Sequence, residues 1–148
     1  MADLRVDGVK RHVYVATTAP TTATDPSDAA YSRVGQRTNV GLQGTKESTE
    51  ARDDSGTVTI GGSTNFTNSL TVNYNPTQDA GALILRNAFL ADPEPTLFVL
   101  ETDGEAGHEN VVYQTTVTAY GEAQQVGSIA QQTFGLTVQN TPVWALNA

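Results

Sequence analysis

One segment limits what this chain can fold into more than any other. Asn75 to Ala91, NPTQDAGALILRNAFLA, is the only convincing helix in an otherwise β-patterned sequence, and it is apolar almost all round. Asn75 can cap a first turn, Pro76 suits the first helical position because an N–H there has no partner to lose, and Asp79 lies near the positive end of the dipole. The pattern predicts a helix over residues 76–91. At about 100° per residue, Ala80, Ile84 and Ala88 mark one side, Leu83 and Leu90 flank it, and Leu85 and Phe89 point nearly the opposite way. Only Arg86 and Asn87 are strongly polar in its body. A helix on the outside of a small monomer shows a polar half, so this one is expected to have cover on two sides, its own sheet and another subunit.

The 148 residues fit one domain, 1–148, long enough to bury roughly 70% of the surface of the unfolded chain. Hydrophobic residues make up 38% and aromatics 7%, while Thr, Gly, Asn and Gln are plentiful, the composition of β-structure with one wet face. With no cysteine there is neither a disulfide framework nor a thiolate metal site, so packing or assembly must hold the fold. The N-terminus, MADLRVDGVKRH, has no apolar core of the kind a signal peptide carries, and the longest aliphatic run is Ala82 to Leu85. The expectation is a chain neither exported by a signal peptide nor inserted in a membrane.

Net charge is −8, and every Lys and Arg lies at or before Arg86. Asp92, Glu94, Glu101, Asp103, Glu105, Glu109 and Glu122 follow unopposed. Such a surface repels phosphates, which argues against ordinary DNA binding, although solvation of loops accounts for most of these acids equally well.

Residues Leu4 to Ala16 read as a strand or extended arm, with Val13 and Val15 opposite His12 and Tyr14. Residues 17–30, TTAPTTATDPSDAA, form a loop. Thr38 to Gln43 reads as a short strand, and residues 44–56, GTKESTEARDDSG, as a long charged loop of the kind that is often functional or ordered by a partner. Leu70, Val72 and Tyr74 alternate with Thr71, Asn73 and Asn75 in a half-buried strand that runs into the helix. TLFVLE, residues 96–101, reads as a central strand. Two long candidates follow, Val111 to Tyr120 and Ala130 to Asn140, each with an apolar face backed by Thr and Gln.

Catalytic and metal signatures are weak. Asp54-Ser55-Gly56-Thr57 matches the aspartic-protease pattern, but it follows a charged loop and has no second copy, so a β-turn is the better reading. His108 stands among Asp103, Glu105 and Glu109 with no spaced second imidazole, which reads as a solvated turn rather than a metal site. His12 reads as an ordinary strand residue. No G-x-S-x-G, Walker A or G-x-G-x-x-G segment is present. The expectation is a protein that is not an enzyme and holds no cofactor or metal.

The order of elements resembles the major tail tube proteins of long-tailed, siphophage-type bacteriophages and related phage-derived particles. The matching segments are SLTVNYNPTQDAGALILRNAF at Ser69 to Phe89, TLFVLETDG at Thr96 to Gly104, VVYQTTVTAYGE at Val111 to Glu122 and FGLTVQNTPVW at Phe134 to Trp144, with GEAQQVG at Gly121 to Gly127 as a return turn. About the last 90 residues match well; the first 60 match in layout, as an extended arm over about 1–16, a variable loop and the charged loop at 44–56.

The resemblance implies a mainly β fold, a β-sandwich or barrel-like subunit with one flanking helix. Each subunit would give four strands to a ring-closed inner β-barrel, in hexameric rings stacked into a tube of the virion tail. Leu83, Leu85, Phe89 and Leu90 would pack partly on the home sheet and partly on a neighbour. Thr71, Asn73, Gln114, Thr116, Thr118, Thr133, Thr137 and Gln139 would line the lumen, with Glu101, Asp103 and Glu122 as acidic contributors to its potential. DNA would pass through without sticking. Lys46, Glu47, Glu50, Arg52, Asp53 and Asp54 would reach the next ring. Partners would be further copies of the chain, a tape measure protein, and terminator and baseplate proteins.

Two other classes fit less well. A tail terminator or capsid decoration subunit would form single rings or trimers. A soluble carbohydrate-binding sandwich would expose a row of aromatics, whereas here only Trp144 and scattered Tyr residues are available, and Trp144 reads as core or interface.

Overall fold

The computed structural model describes residues 11–35, 37–53, 56–74, 80–124, 126–127 and 129–147; of residues 37–40, 47–53 and 57–63 it describes the backbone path. The predicted cap, Asn75, Pro76 and Asp79, and most of the N-terminal arm lie outside the described residues. The elements are β1 (His12–Ala16), β2 (Ser32–Val34), β3 (Arg37–Asp53), β4 (Gly56–Asn73), α1 (Ala80–Leu90), β5 (Leu97–Thr102), β6 (Glu109–Ala123), β7 (Gln131–Val138) and β8 (Val143–Leu146). They form one antiparallel sheet in the order β2-β1-β5-β6-β7-β4-β3, with β8 on β6. The fold is mainly β with one helix, and the sheet does not close into a barrel within the subunit.

Alternation decides which face each strand buries. Val13 and Val15 of β1, Leu70 and Val72 of β4, Leu97 and Val99 of β5, Val111, Tyr113 and Val117 of β6, and Phe134 and Leu136 of β7 all point to the face covered by α1 and form one core. Tyr120 packs between Phe89 of the helix and Phe134, with ring centroids 5.9 and 5.3 Å away. On the opposite face a smaller cluster of Ala16, Tyr31 and Leu100, joined by Tyr14, Phe98 and Val112, lies beneath the loop of residues 17–31. Tyr31 anchors that loop by donating its hydroxyl to the Ala23 carbonyl at 2.6 Å.

The helix is covered along Gly81, Ala82, Leu85 and Ala88. This differs from the side marked by Ala80 and Ile84 in the sequence, because the closest approach is made by the residue with no side chain. A Cβ on Gly81 would stand 2.7 Å from the Arg33 carbonyl oxygen and 2.8 Å from Val34 Cα. Leu85 is wholly buried inside the subunit, so it is not available to a neighbour and its assignment to an inter-subunit contact is corrected. Leu83 and Phe89 are half-buried and Leu90 is 70% exposed.

The charged loop expected over residues 44–56 is instead the distal half of a long hairpin. β3 and β4 pair from Arg37↔Val72 to Asp53↔Gly56, so Lys46, Glu47, Glu50, Arg52 and Asp53 are strand residues; Asp54 lies outside the described residues. The β3 half of this stretch, Lys46 to Asp53, is a run of charged and polar residues with no apolar alternation, which is why the sequence reads as loop. Gly44 lies against the Phe66 ring, which a Cβ would meet at 2.6 Å and would have to displace. The hairpin overhangs the sheet: β7 pairs with β4 only at Thr67 and beyond.

Trp144 is neither core nor fully solvated. It sits 46% exposed in β8 between exposed Val143 and Leu146, with the Phe66 ring centroid 6.1 Å away.

Candidate functional site

Four strands, β3-β4-β7-β6, present a face away from the helix that no loop covers among the described residues. Its residues fall into rows across the sheet. Gln43, Thr67, Thr137 and Thr116 are consecutive register partners, as are Gly41, Ser69, Gly135 and Ala119, and Thr71, Thr133 and Gly121. Side-chain polar groups join neighbouring strands across the face: Thr71 Oγ1 to Thr133 Oγ1 at 3.4 Å, Thr118 Oγ1 to Thr137 Oγ1 at 3.0 Å, and Gln139 Nε2 donating to Thr116 Oγ1 at 3.1 Å. Asn73 shares the face by alternation along β4.

The structure thus brings seven of the eight sequence-predicted polar residues to one uncovered face or its rim. Thr116 is nearly buried there beneath Gln139, whereas Thr118 and Thr133 are exposed. Gln114 sits at the border. It lies opposite Phe98 of β5, its N–H donates to Asn140 Oδ1 at 2.8 Å, and its carbonyl accepts from the Gln139 N–H. Gln43, Thr67 and Ser69 belong to the same face and were not singled out; the alternation that exposes Thr71 extends back to all of them through the hairpin register.

No acid named in the sequence stands on this face. Glu101 follows Leu97 and Val99 in the parity of β5 and points to the core side, where it is 6% exposed and accepts the Tyr113 hydroxyl at 2.7 Å. Burial first, and then the Glu101 charge, push the Tyr113 phenol well up. Glu122 would share the parity of Gln114 and Thr118, but the register shift between Val117 and Ala119 moves the rest of β6 by one residue and turns Tyr120 and Glu122 to the helix side. The Tyr120 hydroxyl donates to Glu122 there. The expected acidic lining is therefore corrected: among the described side chains the face is uncharged.

Asp103 has a different task, in the turn between β5 and β6. Its Oδ2 meets His108 Nδ1 at 2.5 Å and its Oδ1 accepts the Glu105 N–H at 3.0 Å. The bond to His108 is the largest influence holding the Asp103 carboxyl below its ordinary range, and the same bond raises the imidazole. Ligand atoms of Asp103, Glu105 and His108 lie within 4.8 Å of one another. This turn also receives Asn147, which directly follows β8. Asn147 Oδ1 accepts from Thr102 Oγ1 at 3.1 Å and Asn110 Nδ2 at 2.7 Å, its Nδ2 donates to the Glu105 carbonyl at 2.8 Å, and its N–H donates to the His108 carbonyl at 2.7 Å. The cluster read from sequence as a solvated turn is a clasp that holds β8 in place.

The fold is that of tail tube proteins. The chain is similar to a subunit in the tail of an empty gene transfer agent particle with C6 symmetry, at 11% identity and a TM-score of 0.64, covering 97% of this chain and 100% of that one. It is similar to the SPP1 tail tube at 11% identity and a TM-score of 0.69, covering 97% and 80%. A subunit of the PVC extracellular contractile injection system, in its sheath-tube complex, gives 11% identity and a TM-score of 0.70, covering 97% and 93%. No family model matches the sequence, and no curated protein does.

Proposed function

We propose that this chain is a structural subunit of a phage-type tail tube, with a non-catalytic role in the virion tail. Copies close into hexameric rings, and the rings stack into a hollow conduit whose inner wall is the β3-β4-β7-β6 face. The observation that carries this reading is that face: uncovered, continuous over four strands and uncharged among the described side chains, in a fold that tube subunits share over nearly the whole chain.

Two open edges support ring closure. Among the described residues β3 pairs only with β4, and β6 has no strand on its β5 side past Thr115. Joining the first edge of one copy to the second edge of the next is a head-to-tail contact, which closes when the rotation divides a circle and leaves no exposed edge. The exposed Leu90, with half-buried Leu83 and Phe89, then gains its second cover from the neighbour. Burying a leucine contributes about 1.5–3 kcal/mol, repeated at every junction.

A wall of hydroxyls and amides offers no fixed cation among its described side chains to a passing phosphate backbone, and a net charge of −8 opposes adhesion at longer range. DNA is the cargo this wall suits. The overhanging hairpin reaches the adjacent ring in the stack.

Electron micrographs of concentrated purified protein test the reading. Open-ended hollow tubes are expected; discrete trimers or closed caps would favour the decoration or terminator class instead.

A further inference from the structure

Two exposed surfaces lie on the helix side of the sheet, one at each of its open edges. Along β3, Leu42, Gly44 and Lys46 share the parity of the core side, because their partners on β4 are Asn68, Phe66 and Thr64. Trp144, opposite Val111 in register, belongs to the same side. Within the subunit α1 packs on β6, β2 and β1. At the β3 edge Gly44 and Lys46 are exposed, Leu42 and Phe66 half-buried, and the Phe66 ring lies over the Gly44 backbone with the Trp144 ring centroid 6.1 Å away. The result is an apolar patch with a cation at its border.

The other edge carries the complement. α1 ends over β6, where the ring centroids of Phe89 and Tyr120 are 5.9 Å apart, and the next residue, Leu90, is 70% exposed. Tyr120 belongs to the stretch of β6 past Thr115 that has no strand on its β5 side among the described residues. The last turn of α1 holds no basic residue, Arg86 lies a turn earlier, and Asp92, Glu94 and Glu122 are exposed. An exposed leucine at a helix carboxyl end with acids nearby suits a partner that offers apolar surface and a cation.

Barrel geometry brings the two surfaces together. Within one copy Tyr120, Phe134, Leu70 and Val40 are partners in one row, so Tyr120 is level with residue 40 of β3. Strands of a closed barrel tilt by about 35–45° and lie about 4.8 Å apart, so stepping across the four strands of one copy shifts the register by roughly 16 Å, about five residues. The shift runs toward the hairpin, since the opposite shift would carry the free stretch of β6 past the start of β3 at Arg37. Tyr120 of one copy then stands opposite residues 44–46 of the next. We infer that the carboxyl end of α1, at Leu90, seats on the Phe66 and Gly44 patch of the adjacent copy in the same ring, with the Lys46 of that copy set against the helix end. This seat rests on the ring closure proposed above and names the surfaces of two copies that meet beside the joined strands.

The chain has no cysteine, which gives a clean test. Full-length Leu90→Cys and Lys46→Cys variants, separately, mixed, and combined in one chain, are assembled and treated with a short thiol-reactive crosslinker. The mixture is expected to give dimers, and the combined variant a ladder that stops at the copy number of one ring. In parallel, Leu90→Ser should raise the concentration needed for rings about tenfold or more while the melting temperature of the unassembled chain stays unchanged. Wild-type rings with no dimer from the mixture would overturn the seat and leave the ring reading standing, as would a ladder that runs past one ring. Wild-type protein that forms neither rings nor tubes would overturn both.

Discussion

Tyr113 donates its hydroxyl to Glu101 Oε2 at 2.7 Å and accepts from Asn68 Nδ2 at 2.5 Å, so one buried phenol joins β5, β6 and β4 through polar contacts inside an apolar core. Asn68 Oδ1 continues the chain by accepting the Gly41 N–H of β3 at 3.2 Å. Three of the four strands that build the polar face, β3, β4 and β6, are thereby tied together from behind.

Replacing Tyr113 with Phe removes a donor to Glu101 and an acceptor for Asn68 while keeping the ring. Leaving buried polar groups short of a partner costs about 1–3 kcal/mol, more than an average hydrogen bond contributes. Urea denaturation of Tyr113→Phe should show a loss of that size, and an unchanged midpoint would mean that the network contributes nothing to stability.

Gly81 is where the helix touches β2. Since two of the three nearest atoms a Cβ would meet are backbone, the Arg33 carbonyl oxygen and Val34 Cα, a rotamer change of Val34 would not relieve the clash. Gly81→Ala should destabilise by about 1–3 kcal/mol despite the better helix propensity of Ala. Gain of stability in a thermal melt would refute the close approach.

The clasp around Asp103 and His108 gives a pH dependence with a definite sign. His108 titrates above its ordinary 6.5 in the folded chain, so its contribution is complete below that pH and is lost as pH rises through the raised value. Asp103 titrates below its ordinary 3.8, so its contribution is present above that pH and is lost as pH falls through the lowered value. The pair is at full strength between about pH 4 and 6.5. Melting temperatures of wild type and His108→Ala should therefore differ most near pH 5.5 and converge toward pH 9. A difference that is constant across this range would remove the ion pair from the account.

Thr133 is exposed at the middle of the polar face, between Thr71 and Gly121. Thr133→Lys would set a ring of cations in the wall without touching the core. Tubes should form normally and DNA delivery should fall sharply, in a salt-dependent way. Undiminished delivery through tubes containing the lysine would argue against this face as the lining.

How far the sequence discloses the molecule depends on whether burial leaves a period. Val13 and Val15, Leu70 and Val72, and Phe134 and Leu136 alternate, and all lie on the core face as the pattern requires. The end of the helix at Leu90 agrees closely with the pattern as well. The distal half of the hairpin reads as loop because Lys46 to Asp53 is a run of charged and polar residues with no apolar alternation. The buried side of α1 was hidden for another reason: Gly81 and Ala82 make the contact by being small, whereas Ile84 and Leu90 draw the eye by being large. Glu122 was misplaced by a single register shift, and Glu101 because its partner Tyr113 lies on a neighbouring strand. Eleven per cent identity to tube subunits of similar fold fits this division, for a sheet tolerates exchange of residues that keep face and volume.

A helical reconstruction of the assembled protein tests the central claim most directly, by the radius at which each face lies. The account predicts Thr118 and Thr133 nearest the tube axis, with α1 on the outside and Leu90 against a neighbouring subunit. A channel lined by α1, or a polar face buried between subunits, would contradict it.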